Sequence, residues 1–128
     1  MFSAEHALIT EFNTRLSILR LGGLIGEDRH PAHHLSTKEN VQNPQGEVNL
    51  VHRNDVISAI ELIIQKNVKQ ALFNLVYPDH PTRKSYYLKK MNDWEITPCT
   101  FSDAKSIHRI IHSDKISEEL GFKFLQPI

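Results

Sequence analysis

The chain has 128 residues, with 15 basic against 15 acidic side chains and 40% hydrophobic content. That fits one domain, or part of a larger one, with a real core. The zero formal net charge leaves no field to attract nucleic acid or an anionic membrane, the single Cys99 excludes an internal disulfide and a cysteine zinc site, and no apolar run approaches the roughly 20 residues that cross a bilayer. The segment after Met1 is acidic, with no basic leader and cleavage site, which predicts a cytoplasmic protein.

In chain order, Ala4, Ala7, Leu8, Ile9 and Phe12 recur at helical spacing, with Ser3 placed to cap a helix over 4–12 that Asn13-Thr14 closes. Leu16 to Leu21 reads as a buried strand. Residues 22–45 read as a long polar loop with one short helical turn near Ala32 to Leu35, and loops of such length are commonly functional or flexible. Val48 to His52 predicts a short strand, Asp55 to Gln65 an amphipathic helix capped by Asp55, and Ala71 to Val76 a second apolar strand ending before Pro78. Thr82 caps a helix over 83–93 with Tyr86, Tyr87, Lys90, Met91 and Trp94 as its stripe. Ser106 to Ile111 is a weaker strand candidate, and Ser113 caps a helix over 114–120 that Gly121 ends. This alternation of strand and helix predicts a parallel α/β arrangement.

Several motifs in this order resemble one family. Leu19, Arg20, Gly23, Gly26 and Arg29 fit Leu-Arg-x-x-Gly-x-x-Gly-x-x-Arg, and Val48, Val51, His52, Asp55 and Val56 fit Val-x-x-Val-His-x-x-Asp-Val. Phe73-Asn74-Leu75, then His80-Pro81-Thr82-Arg83, and the tail SIHRIIHSDKISEELGF continue the match. Together they resemble the downstream half of the extended short-chain dehydrogenase/reductase family, the NAD-dependent epimerases and dehydratases, in an atypical subgroup.

The resemblance implies that residues 1–128 form a single partial domain, the C-terminal part of a Rossmann-like NAD(P)-dependent epimerase fold. Two parallel sheet strands, 16–21 and 71–76, would be joined to a small α/β substrate lobe in which 48–52 pairs with the strand near 109–111. It further implies that Arg20, Gly23 and Gly26 shape the floor beside the nicotinamide of NAD or NADP, and that Arg29 and His30 face the substrate. His52 either bonds at a strand end or lines the cleft. Asn74 and Arg83 stand at element ends with structural and ligand roles equally open.

What departs from the family bounds the activity. Gly22-Gly23-Leu24-Ile25-Gly26 imitates a dinucleotide fingerprint, but Leu21 replaces the first glycine and Glu27-Asp28-Arg29-His30-Pro31 follows where a phosphate-binding helix should open. Tyr86 and Lys90 share the family's Tyr-x-x-x-Lys spacing, yet they follow the last family strand and read as one helical face. No catalytic residue is assigned, and this chain alone is expected to bind no cofactor. The His30-x-x-His33-His34 group reads as a solvated histidine loop rather than a metal site. The expected partners are an unidentified small-molecule substrate and a second copy of the chain, which would cover the strand edge left unpaired at 16–21. Two functions stand: the substrate side of an epimerase-like oxidoreductase, not catalytic by itself, or a non-catalytic remnant that self-associates or binds a small ligand.

Overall fold

The computed structural model describes residues 2–128, the side chain of Phe2 excepted; Met1, read above as the start of a leaderless segment, lies outside the described residues. Helix α1 (Phe2–Phe12) runs through a 3-10 turn at Asn13–Arg15 into β1 (Ser17–Leu21). The remaining elements are β2 (Gly23–Ile25), α2 (Pro31–Leu35), β3 (Leu50–His52), α3 (Arg53–Gln65), β4 (Ala71–Leu75), α4 (Arg83–Asp93) and α5 (Asp114–Leu120). No helix among the described residues is long and apolar enough to cross a membrane.

Two parallel pairs form. β1 lies beside β4 with Leu19 opposite Phe73 and Arg20 opposite Asn74, as the alternation predicts. β2 lies beside β3 with Leu24 opposite Val51. The chain changes sheets at Gly22, whose N–H donates to Leu75 O at 3.0 Å, while the N–H of Gly23 donates to Asn49 O at 2.8 Å. A Cβ on Gly22 would lie 2.6 Å from that Asn49 carbonyl, so this residue is glycine because two backbones meet there.

The pairing of β3 with β2 corrects the expected pairing of 48–52 with 109–111, and places a strand inside the stretch read as loop. Residues 106–111 are not a strand, because side chains take the place of a backbone ladder. The Asn49 amide donates to Arg109 O and its carbonyl accepts from Ile111 N, both at 2.8 Å. Glu47 accepts from Arg109 N at 2.9 Å and Asn43 from Ile107 N at 2.7 Å.

Because neighbouring strand residues point to opposite faces, Leu50 and Val51 enter different cores. Leu50 joins Ile25, Ala32, Val48, Tyr86, Tyr87 and Met91 in one cluster; Val51 joins Ala59, Phe73, Leu75, Ile116 and Phe122 in the other. The short β2–β3 sheet is the wall they share.

Helix ends follow local chemistry with three corrections. Thr82 Oγ1 accepts from Ser85 N at 3.3 Å, and Gly121 ends α5 at φ 68°, both as the sequence predicts. The cap of α3, however, is His52, whose Nδ1 accepts from Asn54 N at 3.1 Å. Asp55 lies inside the first turn and is 1% exposed; its two oxygens accept from Leu125 N at 3.0 Å and Gln126 N at 3.1 Å. The helix starts earlier than read, which turns the carboxylate inward onto the C-terminal segment. Ser113 occupies the N-cap position of α5 without a capping bond, its hydroxyl accepting instead from Val76 N at 2.7 Å. Ser3 lies within α1 rather than ahead of it.

Candidate functional site

Parallel strands in open α/β folds present ligands at their carboxyl ends, and here β2 and β3 end side by side at Ile25 and His52. Beyond them opens a cleft of about 470 Å³ whose lining includes Gly26, His30, His33, His52, Lys90 and Trp94. Three local devices bring these groups together. The His52 ring is fixed at the strand end by its bond to Asn54 N. His30 caps α2 by the same geometry, its Nδ1 accepting from Ala32 N at 3.1 Å, and Pro31 supplies a first helical residue with no N–H to satisfy. Along α4, Tyr86, Lys90 and Trp94 are spaced four apart and present one stripe to α2.

His30 is the hub. Its Nε2 lies 2.8 Å from Tyr86 Oη, its ring stands edge-on to Trp94 at 4.8 Å, and His33 stacks on the same indole at 5.0 Å. Since Nδ1 already accepts a backbone N–H, the ring proton of neutral His30 sits on Nε2 and is donated to Tyr86. Burial, then the Lys90 ammonium, then His33 push the His30 pKa down to about 4. Burial raises the Tyr86 hydroxyl above its ordinary value. At neutral pH the pair is therefore an uncharged imidazole bonded to an uncharged phenol, with the positive charge on Lys90, whose Nζ lies 5.6 Å from the Tyr86 ring centre and 5.8 Å from that of Trp94. This wall can bind and orient a ligand by hydrogen bonds, stacking and cation–π attraction. Within the bonded pair, His30 is pushed down and Tyr86 up, so neither is poised as a general base at neutral pH.

The sequence-derived site residues are divided by the fold. Gly26, His30 and His52 share this cleft. Arg29 is exposed, and its backbone closes a turn with Gly26 at 2.8 and 3.2 Å. Gly23 and Arg83 line a second cleft on the other side of α2. Asn74 donates to His112 O at 3.3 Å. Arg20 grips Glu5 of α1 through two bonds, 2.9 and 2.6 Å, beside a depression over β1 and β4. The solvated histidine loop needs correction at His30, which is half-buried and bonded, whereas His33 and His34 are exposed. Among the described residues no group of three or more His, Cys, Asp or Glu side chains converges as metal donors. Lys90 and Trp94 were not assigned to the site from sequence; the signal that could have found them is their phase with Tyr86, which falls on the face turned to the His30 loop.

This pair of parallel strands, its crossover and the lobe built on β2, β3, α2 and α4 define a class of fold. The chain has the Rossmann-like fold of the NAD-dependent epimerases and dehydratases, of which it carries about half. UDP-glucose 4-epimerase of Thermotoga maritima, solved with UDP-glucose, superposes with a TM-score of 0.72 at 18% identity over 95% of this chain and 46% of that one. A functionally unknown conserved protein from Silicibacter pomeroyi gives a TM-score of 0.79 at 18% identity, over 98% of this chain and 49% of that one. In sequence the chain is 35% identical to Protein YeeZ of Escherichia coli K12 over 116 residues, 89% of this chain. It thus spans 42% of the length of the curated relatives it matches. No family model matches the chain.

Proposed function

We propose that this chain supplies the substrate side, the C-terminal portion, of an NAD(P)-dependent epimerase-like oxidoreductase, and that it is not catalytic alone. The observation carrying the reading is the cleft at the ends of β2 and β3, walled by neutral His30 and Tyr86 with Lys90 and Trp94. The place is right for a ligand in a fold of this class, and the groups are suited to holding one. Hydride chemistry needs a cofactor cradle, and none of the glycine turns here opens a helix long enough to bind pyrophosphate. Arg20, Gly23 and Gly26 would border the nicotinamide only when the rest of the fold is present.

Trp94 is the sole tryptophan, so its fluorescence reports on the cleft. Calorimetry with NAD, NADH, NADP and NADPH should give no saturable heat, whereas UDP-glucose, the ligand of a structural neighbour, is the first small molecule to test by Trp94 fluorescence. Micromolar cofactor binding by the chain alone overturns the reading. A second reading, a non-catalytic self-associating remnant, is favoured by the exposed Leu8, Ile9 and Phe12 of α1. The occupant proposed for that face is a second copy of the chain whenever the remainder of the fold is absent.

A further inference from the structure

On the other side of α2 from the His30 cleft lies a second cleft, of about 340 Å³, and its charges do not balance within the molecule. Arg83 opens α4, its backbone N–H held by Gly46 O at 2.8 Å. Its guanidinium lies over the Tyr87 ring, 5.4 Å from the centroid. The Nε is buried without a hydrogen-bond partner, and no carboxylate among the described residues is within ion-pair distance of this side chain. A guanidinium set against an apolar wall without an anionic partner is costly to desolvate.

The neighbouring polar groups are already committed elsewhere. Glu47 shares the cleft, but its oxygens accept from His108 Nδ1 at 2.8 Å and Arg109 N at 2.9 Å. The Asn49 amide is spent on residues 109 and 111, and His34 Nε2 meets Lys38 Nζ at 2.8 Å. The rest of the lining includes Pro31, Leu35, Leu50 and Tyr87, which is apolar wall around one guanidinium fork.

We propose that this cleft is a binding site for an organic carboxylate, whose oxygens pair with the two Nη groups of Arg83 while its apolar body rests on Pro31, Leu35 and Leu50. The planar guanidinium matches a carboxylate in two parallel hydrogen bonds. Glu47 sets the preference: its own negative charge in the same cleft disfavours a phosphate dianion more than a carboxylate monoanion. The site stands apart from the His30 cleft, so its failure leaves the proposed function untouched.

The test is a titration of the isotopically labelled full chain with benzoate and, separately, inorganic phosphate at constant ionic strength, following the Arg83 Nε–H resonance. Benzoate should shift that resonance saturably and phosphate should bind more weakly. Arg83→Gln should weaken benzoate binding, read from the backbone amides of residues 35 and 50, by at least about tenfold, equivalent to 1.4 kcal/mol. Glu47→Gln, which leaves Arg83 in place, should narrow the gap between the two anions. An Nε–H resonance that benzoate does not move, or phosphate binding as tight as benzoate in the unaltered chain, overturns the proposal. So does full affinity in a folded Arg83→Gln chain.

Discussion

The lobe built on β2, β3, α2 and α4 and the edge formed by α1 and β1 start from similar apolar patterns and end differently. The lobe buries Tyr86, Tyr87 and Met91 almost completely, whereas β1 has no fully buried residue and α1 leaves Leu8, Ile9 and Phe12 each more than 40% exposed. Local periodicity is comparable in the two regions. What differs is supply: α4 has α2, β2, β3 and the segment after it to pack against, while among the described residues β1 has β4 on one side and no strand on the other. An amphipathic face stabilises only when something covers it, and among the described residues the α1 face has little that does.

The largest contrast should appear on truncating one side chain in each region. Met91→Ala, at a site with no exposure, should cost about 2–5 kcal/mol, and Leu8→Ala less than about 0.5 kcal/mol, both read from urea denaturation. An equally costly Leu8→Ala would break the comparison, since it would mean that α1 is covered in solution.

Next in size is Asp55. Removing a buried carboxylate that accepts two backbone N–H groups should cost about 1–3 kcal/mol and should raise amide exchange at Leu125 and Gln126 selectively. Loss of stability with those two amides still protected would restore the simple capping role and detach the C-terminal segment from the core.

The pH response separates the regions more finely. The folded His30 pKa of about 4 lies below its ordinary 6.5, so the unfolded chain takes up a proton first. Stability from this group is complete above about pH 6.5 and is lost as pH falls toward 4. Replacing His30 with Gln should flatten the stability profile in that window, and the imidazole resonance of His30 should titrate near 4; titration near 6.5 would place the ring in water and remove it from the cleft wall.

The smallest effect on stability, though a visible one on assembly, is expected at α1. Ile9→Lys should leave the melting midpoint within about 0.5 kcal/mol equivalent while shifting sedimentation equilibrium of the chain toward monomer. A chain that is monomeric at high concentration before the substitution removes the second copy as the occupant of this face.

Much of this was legible in the residues. The parallel pairing of β1 with β4 followed from two short apolar runs separated by an amphipathic helix, because parallel strands require such a crossover. The limits of α4 and α5 followed from Thr82 and Gly121, whose effects are local. The site was only partly legible: His30, His52 and Gly26 do share a cleft, but Lys90 and Trp94 join it from a helix much further along the chain, and helix phase alone does not say which neighbour a face will meet.

The sequence by itself determined the class of fold and the positions of the strong helices, since each depends on periodicity or on the φ/ψ demands of single residues. Tertiary structure alone decided the rest. It turned Asp55 inward onto the C-terminal segment, replaced a strand at 106–111 by side-chain bonds from Asn43, Glu47 and Asn49, set β2 beside β3 across the contact that requires Gly22, and left the Nε of Arg83 buried without a hydrogen-bond partner. Each of these outcomes rests on groups distant in sequence, and their free energies are fixed only when the chain has closed around them.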